Sequence, residues 1–272
     1  MSELVFLKLG GSLITDKTEP QVVRTDVLHR LAHEIASARL ARPELRLLLG
    51  HGSGSFGHVS AKRYGTRGGV RTAEQWRGYA ETGRFAAELN RLVVDALWDA
   101  GIPALRVQPS ASALCYDGEL CSLAERPLVD GLEHGLVPVV HGDISLDEVR
   151  GGTIVSTEEI FTYLAPRLRP ARVILVGEVE GVLTEDPATN AKGEVVRRIT
   201  RFSLSELVPA LGGSRGIDVT GGMITKVRQM LDLVESTPGL RGVYIVSGLM
   251  PGLLSSVLED PDVIAGTRIV AA

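Results

Sequence analysis

The 272-residue chain is poor in aromatic residues, at 4%, and carries only two cysteines, Cys115 and Cys121. A six-residue gap between two thiols fits neither a disulfide framework nor a four-ligand zinc site, and a chain of this length buries enough core without either. No apolar run approaches the ~20 residues needed to span a bilayer. The first apolar stretch holds Glu3 and Lys8 with no basic region ahead of it, which is unlike a secretory leader. Net positive charge is also missing: 29 Lys and Arg against 33 Asp and Glu give −4. With aromatics so scarce, that balance excludes a broad nucleic-acid surface and an anionic-membrane anchor, while leaving room for a small anion held by a few local lysines. A cytoplasmic protein with no nucleic-acid or membrane partner is expected.

Several catalytic signatures are absent as well. There is no G-x-x-x-x-G-K-[ST] phosphate loop and no G-x-S-x-G nucleophile elbow. Gly52, Gly54 and Gly57 do spell G-x-G-x-x-G, but residues 59–75 are polar and basic and supply no second strand ending in an acid. Nicotinamide and flavin binding are therefore rejected.

Glycine, by contrast, is abundant: 31 of 272 residues, about 11% against a usual level near 7%. Its placement follows the secondary-structure pattern. Short, mostly continuous apolar runs at 4–9, 45–49, 104–107, 137–140, 173–176, 195–199, 243–246 and 268–270 read as strands covered on both faces. Amphipathic stretches between them read as helices: 26–40, a long one from the Thr72–Gln75 capping box to about residue 100, a short one capped by Ser203 and Glu206, and 221–235. The alternation predicts an α/β fold, a three-layer αβα sandwich on a mainly parallel central sheet of about eight strands. Two lobes, 1–165 and 166–272, would share that one continuous sheet, changing near Pro166–Pro170.

The glycines cluster just after strands: Gly10-Gly11-Ser12, the run from Gly50 to Gly57, Gly142 and Gly177, with Gly221-Gly222 opening a helix. In an open α/β sheet this is the ligand edge, and glycine lets backbone N–H groups approach an anion closely. Lysines break local rules in the same places. Lys8 sits inside an apolar strand, Lys17 just past the first glycine turn, and Lys226 near the start of a helix, where the dipole disfavours a cation. Backbone amides and lysines converging on one sheet edge describe a phosphoryl-transfer site, which asks for positioning and positive charge more than for covalent chemistry.

On these residues the chain resembles the amino acid kinase family: Lys8 to Lys17 (KLGGSLITDK), Ser55 to His58 (SFGH), His141 to Ile144 (HGDI) and Thr220 to Lys226 (TGGMITK). The likeness covers essentially the whole chain. It implies ATP-dependent phosphorylation of isopentenyl phosphate by direct in-line transfer, with Mg2+ arriving with ATP and a homodimer as the assembly. The N-terminal lobe would bind the acceptor and the C-terminal lobe ATP. His58 would hold the acceptor phosphate beside Ser53, Gly54 and Gly57. Lys8 and Lys17 would stabilise the group in flight, Lys226 the terminal phosphates of ATP, and Gly10, Gly11, Ser12, Gly54 and Gly222 would wrap the nucleotide. Asp143 would organise Lys8 and Lys17. The five-carbon tail would lie among Thr82, Phe85, Ala86, Ile144, Val155 and Thr157.

Two stretches depart from the family pattern. Thr157-Glu158-Glu159 stands where relatives often have Gly-Asp-Asp, with Ser156 and Glu159 reading as a capping box. Gly177-Glu178-Val179-Glu180 stands where relatives have Thr-Asp-Val-Asp, placing Glu178 near the ribose. Two other readings stay open at this point: a kinase of the same architecture for fosfomycin or another phosphate or phosphonate, and a non-catalytic nucleotide or oxyanion binder.

Overall fold

The computed structural model describes residues 3–184, 193–205 and 219–271. With strands numbered along the chain, eight of them form one sheet in the order β10-β12-β11-β9-β1-β2-β6-β3. These are β1 (Leu4–Leu9), β2 (Arg46–His51), β3 (Ala104–Arg106), β6 (Val137–His141), β9 (Arg172–Gly177), β10 (Arg198–Ile199), β11 (Val243–Ser247) and β12 (Thr267–Ile269). Every neighbouring pair is parallel except β11 with β12. The expected strand count and sense are met, and because β1 pairs with both β2 and β9 the sheet runs unbroken between the two halves of the chain.

Strand alternation explains the three layers. Val5, Leu7 and Leu9 of β1 face one apolar cluster, shared with helices α2 (Thr25–Ala41), α4 (Ala73–Asp99) and α8 (Leu253–Glu259). Leu4 and Phe6 face the other, shared with α5 (Arg126–Glu133), α6 (Thr157–Leu168) and α7 (Val219–Ser236). The capping box that opens α4 forms as expected: Gln75 N–H donates to Thr72 Oγ1 at 3.2 Å and Thr72 N–H to Gln75 Oε1 at 3.1 Å. The one expected at Ser203 does not. Residues 201–205 are already helical, Thr200 is the cap, and Ser203 Oγ accepts from Thr200 N–H at 2.9 Å. Glu206 lies outside the described residues. Among the described residues no helix is long and apolar enough to cross a membrane.

A second, four-stranded sheet, β5-β4-β7-β8, was not expected. It consists of β4 (Leu114–Tyr116), β5 (Glu119–Ser122), β7 (Asp143–Asp147) and β8 (Gly151–Val155). β4 and β5 turn at Asp117-Gly118, both at positive φ (+48° and +87°). Asp143 pairs with Val155 across β7 and β8, beside α6 and the carboxyl end of β6.

At the amino end of the sheet Arg172 is fully buried. Its Nε donates to Glu3 Oε1 at 2.9 Å and its Nη1 to the Val257 carbonyl at 2.5 Å, while Arg42 and Arg241 also pair with Glu3. Burial alone would raise the Glu3 carboxyl, but hydrogen bonds and charge from Arg172, then Arg42 and Arg241, hold it below the usual carboxylate range. Its contribution is therefore full above the unfolded carboxyl pKa and is lost as pH falls through the folded one. Glu3→Gln is expected to cost about 2 kcal/mol near neutral pH, with the difference from the parent shrinking as the medium is acidified, measured by urea unfolding.

Candidate active site

Four strands of the main sheet, β1, β2, β6 and β9, end in glycines at one cleft of about 740 Å³. The turns after β1 and β2 approach so closely that a Cβ on Gly11 would lie 2.7 Å from Gly54 Cα, and one on Gly52 would lie 2.9 Å from Gly11 N. Gly54 also sits at φ +48°, so side chains are excluded there on conformational grounds as well. Thr15 ties the turns together: its Oγ1 donates to the Gly11 carbonyl at 2.8 Å and accepts from Ser55 N–H at 3.0 Å. Gly10 N–H donates to Val176 O at 2.7 Å, which pins the first turn to β9. Helix α3 (Gly54–Tyr64) thus starts at the cleft beside Ser53, with three of its first N–H groups engaged locally: Ser55 N–H by Thr15 Oγ1, and Phe56 and Gly57 N–H by the Ser53 carbonyl at 3.1 and 3.3 Å.

One buried carboxylate organises the lysines, and it is Glu158 rather than Asp143. Lys8 from β1 ion-pairs with Glu158 Oε1, and Lys226 from α7 stands 3.6 Å from the same oxygen. Glu158 occupies the first turn of α6, where the helix dipole favours an anion. Burial alone would raise its carboxyl, but the charges of Lys8 and then Lys226 hold it below the ordinary range. For Lys8, burial is the largest effect and lowers its ammonium below the ordinary lysine range; Lys226 adds to this and Glu158 opposes it. Asp143 is buried elsewhere. Its Oδ2 accepts from Ser110 N–H at 3.0 Å and its Oδ1 from Ile144 N–H at 2.9 Å, and among the described residues it pairs with neither lysine. Burial raises its carboxyl.

Lys17 reaches the cleft but pairs with Glu178, which also takes Arg24 Nη1 at 3.2 Å. Both residues expected there are in place, though Lys17 stands on Glu178 and not in the Lys8 cluster. Gly222 lies in the first turn of α7, which starts at Val219, ahead of the expected residue 221.

His58 lies one turn into α3, exposed on the cleft wall. Its Nδ1 is 2.6 Å from the Gly54 carbonyl. A carbonyl only accepts, so Nδ1 carries the proton and Nε2 is left for a ligand. Gly57 is one residue before it, where a Cβ would meet Ser53 Oγ at 2.7 Å.

The apolar end of the cleft differs from expectation. Val155 lines it, together with Val59 and Ile154, but Thr82, Ala86 and Ile144 lie outside its lining. Thr82 is buried on α4 with its hydroxyl donating to Gly78 O at 2.8 Å and 3.1 Å from Ser60 Oγ, Ala86 is core, and Ile144 packs over Gly83. Phe85 packs against the core from the same helix. Thr157 lines the cleft, but its hydroxyl proton is committed to the His51 carbonyl at 2.6 Å.

Beneath the second turn, His51 and His141 stack at 5.5 Å, a pair that sequence reading did not single out as a unit. Asn90 Nδ2 donates to His51 Nε2 at 3.0 Å, and His51 Nδ1 faces Gly52 O at 3.0 Å, so this ring is the neutral Nδ1–H tautomer. Burial, with help from His141, holds the His51 ring down to about 3, and burial with Arg106 does the same for His141. Both rings are therefore neutral imidazoles near neutral pH.

The Lys8–Glu158 coupling leads to a testable shift. Removing the carboxylate charge with Glu158→Gln disfavours protonated Lys8, so the alkaline limb of the kcat/KM profile is expected to move to lower pH. A limb unchanged in position would mean that Glu158 does not set the charge on Lys8.

The profile of the amino acid kinase family matches residues 3–247. The isopentenyl phosphate kinase of Methanothermobacter thermautotrophicus is 38% identical over 98% of both chains, and that of Haloferax volcanii is 41% identical over 85% of this chain and 88% of its own. A solved structure described as isopentenyl phosphate kinase superposes with a TM-score of 0.81 at 32% identity, covering 98% of this chain and 100% of the other. With the family profile matching most of its length and these relatives covered over 85% or more of both chains, the chain belongs to the amino acid kinase family.

Proposed function

We propose that this kinase transfers the γ-phosphoryl group of ATP to the phosphate of isopentenyl phosphate, giving isopentenyl diphosphate and ADP. The observation that carries the reading is His58, which lines the cleft in the first turns of α3 with Nδ1 held by the Gly54 carbonyl, leaving Nε2 for a ligand. That is an anion cradle on the acceptor side, separate from the lysine cluster. The Methanothermobacter and Haloferax relatives and the superposed structure carry that activity in their names.

In the transfer an oxygen of the acceptor phosphate attacks the γ-phosphorus, a new P–O bond forms, and the bond to the β,γ-bridging oxygen breaks with its electrons leaving on ADP. The acceptor dianion has no proton to lose, since its second pKa is near 6, so the site needs no general base. His58, its Nδ1–H held by the Gly54 carbonyl, presents Nε2 to the acceptor phosphate. Lys8 meets the charge spread over the transferring group, and Lys226 the terminal phosphates of ATP. Glu158 pairs with Lys8 and stands 3.6 Å from Lys226, holding the two lysines on one carboxylate while the site waits. Gly11, Ser12, Gly54 and Gly222 would offer backbone amides to the nucleotide, while the Gly10 amide, expected to join them, is taken by the Val176 carbonyl. Glu178 holds Lys17 at the rim.

Mg2+ supplies charge neutralisation when it arrives with ATP. The described residues bring together no three His, Cys, Asp or Glu side chains able to hold a metal, which suits an ion held by phosphate oxygens and water. The acceptor would rest on residues 1–165 and ATP mainly on 166–272. Free Cys115 and Cys121 suit a reducing, cytoplasmic setting, and family likeness supports a homodimer. Phosphorus-31 NMR of the product tests the reading: two coupled diphosphate resonances bearing the prenyl group are expected beside ADP, and isopentenyl phosphate returned unchanged would refute it.

A further inference from the structure

A second cavity, of about 480 Å³, lies at the β10 edge of the main sheet and shares no lining residue with the catalytic cleft. The strand register builds it. Arg198 of β10 lies directly opposite Arg268 of β12, and Arg268 directly opposite Tyr244 of β11, so the three side chains form one row on one face. Arg197 and Arg241 add to the rim. Arg241 is engaged with Glu3, but among the described residues Arg197, Arg198 and Arg268 have no acidic partner. The Arg268 guanidinium lies 5.2 Å from the Tyr244 ring centroid, and its Nε is buried with no hydrogen-bond partner. Asp262, the one acid in the lining, pairs with none of them.

Like charges directly opposite on neighbouring strands destabilise a sheet, and a chain of net charge −4 has carboxylates available to relieve them. Here none does so. The lining is also partly apolar, through Val263, Val270 and Ile264, the last 88% exposed. Planar guanidinium groups match phosphate oxygens two at a time, and the apolar residues match a hydrocarbon tail. We propose that this cavity is a second ligand site, for a diphosphate ester with a short apolar tail. The site stands independently of the acceptor assigned to the catalytic cleft.

Calorimetric titration of the full chain with isopentenyl diphosphate and with inorganic pyrophosphate tests it, comparing the parent with Arg198→Ala/Arg268→Ala. The parent is expected to bind two equivalents of isopentenyl diphosphate. The double variant should bind one and keep its ATP turnover, and pyrophosphate should bind the arginine site more weakly for want of a tail. Each arginine removed is expected to weaken that site by roughly tenfold or more. Should the double variant lose its native circular dichroism, Arg198→Gln alone, at an exposed position, gives the same comparison. Two equivalents retained in the variant, or a single one in both proteins, overturns the proposal, and equal affinity for pyrophosphate overturns its apolar part. Failure of the cleft assignment looks different: one equivalent in the parent that the arginine variant loses.

Discussion

Lys8→Ala is expected to lower kcat by two to three orders of magnitude, the scale on which removing one preorganised charge from a developing anion acts. The effect follows from position. Lys8 enters the cleft from an apolar strand, its side chain only 12% exposed, so water cannot replace the lost cation at low cost. The substitution does a second kind of damage. Glu158 is left buried with Lys226 alone, 3.6 Å away, and its uncompensated charge repels an incoming triphosphate. ATP affinity should therefore fall together with kcat, and Lys8→Ala/Glu158→Gln should recover much of the affinity while kcat stays low. Stopped assays of ADP release with fluorescence titration of nucleotide binding read the two effects apart. Full turnover in Lys8→Ala would remove the lysine from the mechanism.

His58→Ala is expected to act on one substrate only. The histidine sits one turn into α3 on the cleft lining with its Nδ1–H on the Gly54 carbonyl, which leaves Nε2 for the acceptor. A charge-assisted hydrogen bond to phosphate corresponds to roughly 10- to 100-fold in affinity. kcat/KM for the acceptor should fall by about that much or more, with the dissociation constant of ATP unchanged. Equal loss for both substrates would place the histidine at the nucleotide. His58→Gln, which keeps a donor near the same reach, should lie between the parent and the alanine variant.

Much of the scaffold was legible because parallel strands buried on both faces leave continuous apolar runs; β1, β2, β6, β9 and β11 are of this kind. The small sheet was not, since β4, β5 and β7 are short and mix Cys, Glu, Asp and Ser with apolar residues, and β8 opens on two glycines and a threonine. Asp117-Gly118 between two short runs was an available hairpin signal. In the site, glycine turns and lysines could be read because each violates a local preference. Which carboxylate faces the lysines could not, because Asp143 and Glu158 are both buried acids near strand or helix ends, and only the three-dimensional arrangement puts Glu158 between Lys8 and Lys226. An acid in the first turn of a helix that begins at the cleft was the signal for Glu158. The tail pocket misled for a related reason: Thr82, Ala86 and Ile144 have the composition of a pocket and of a core alike, and packing decides between them.

The central claim, that the acceptor is a prenyl monophosphate, is tested most directly by kcat/KM measured with ATP and, in parallel, isopentenyl phosphate, dimethylallyl phosphate, fosfomycin and acetylglutamate. The expected result is that isopentenyl phosphate leads, dimethylallyl phosphate follows, and acetylglutamate, which offers no phosphate to His58, is slower by two orders of magnitude or more. A preference for fosfomycin or acetylglutamate over both prenyl phosphates would contradict the account.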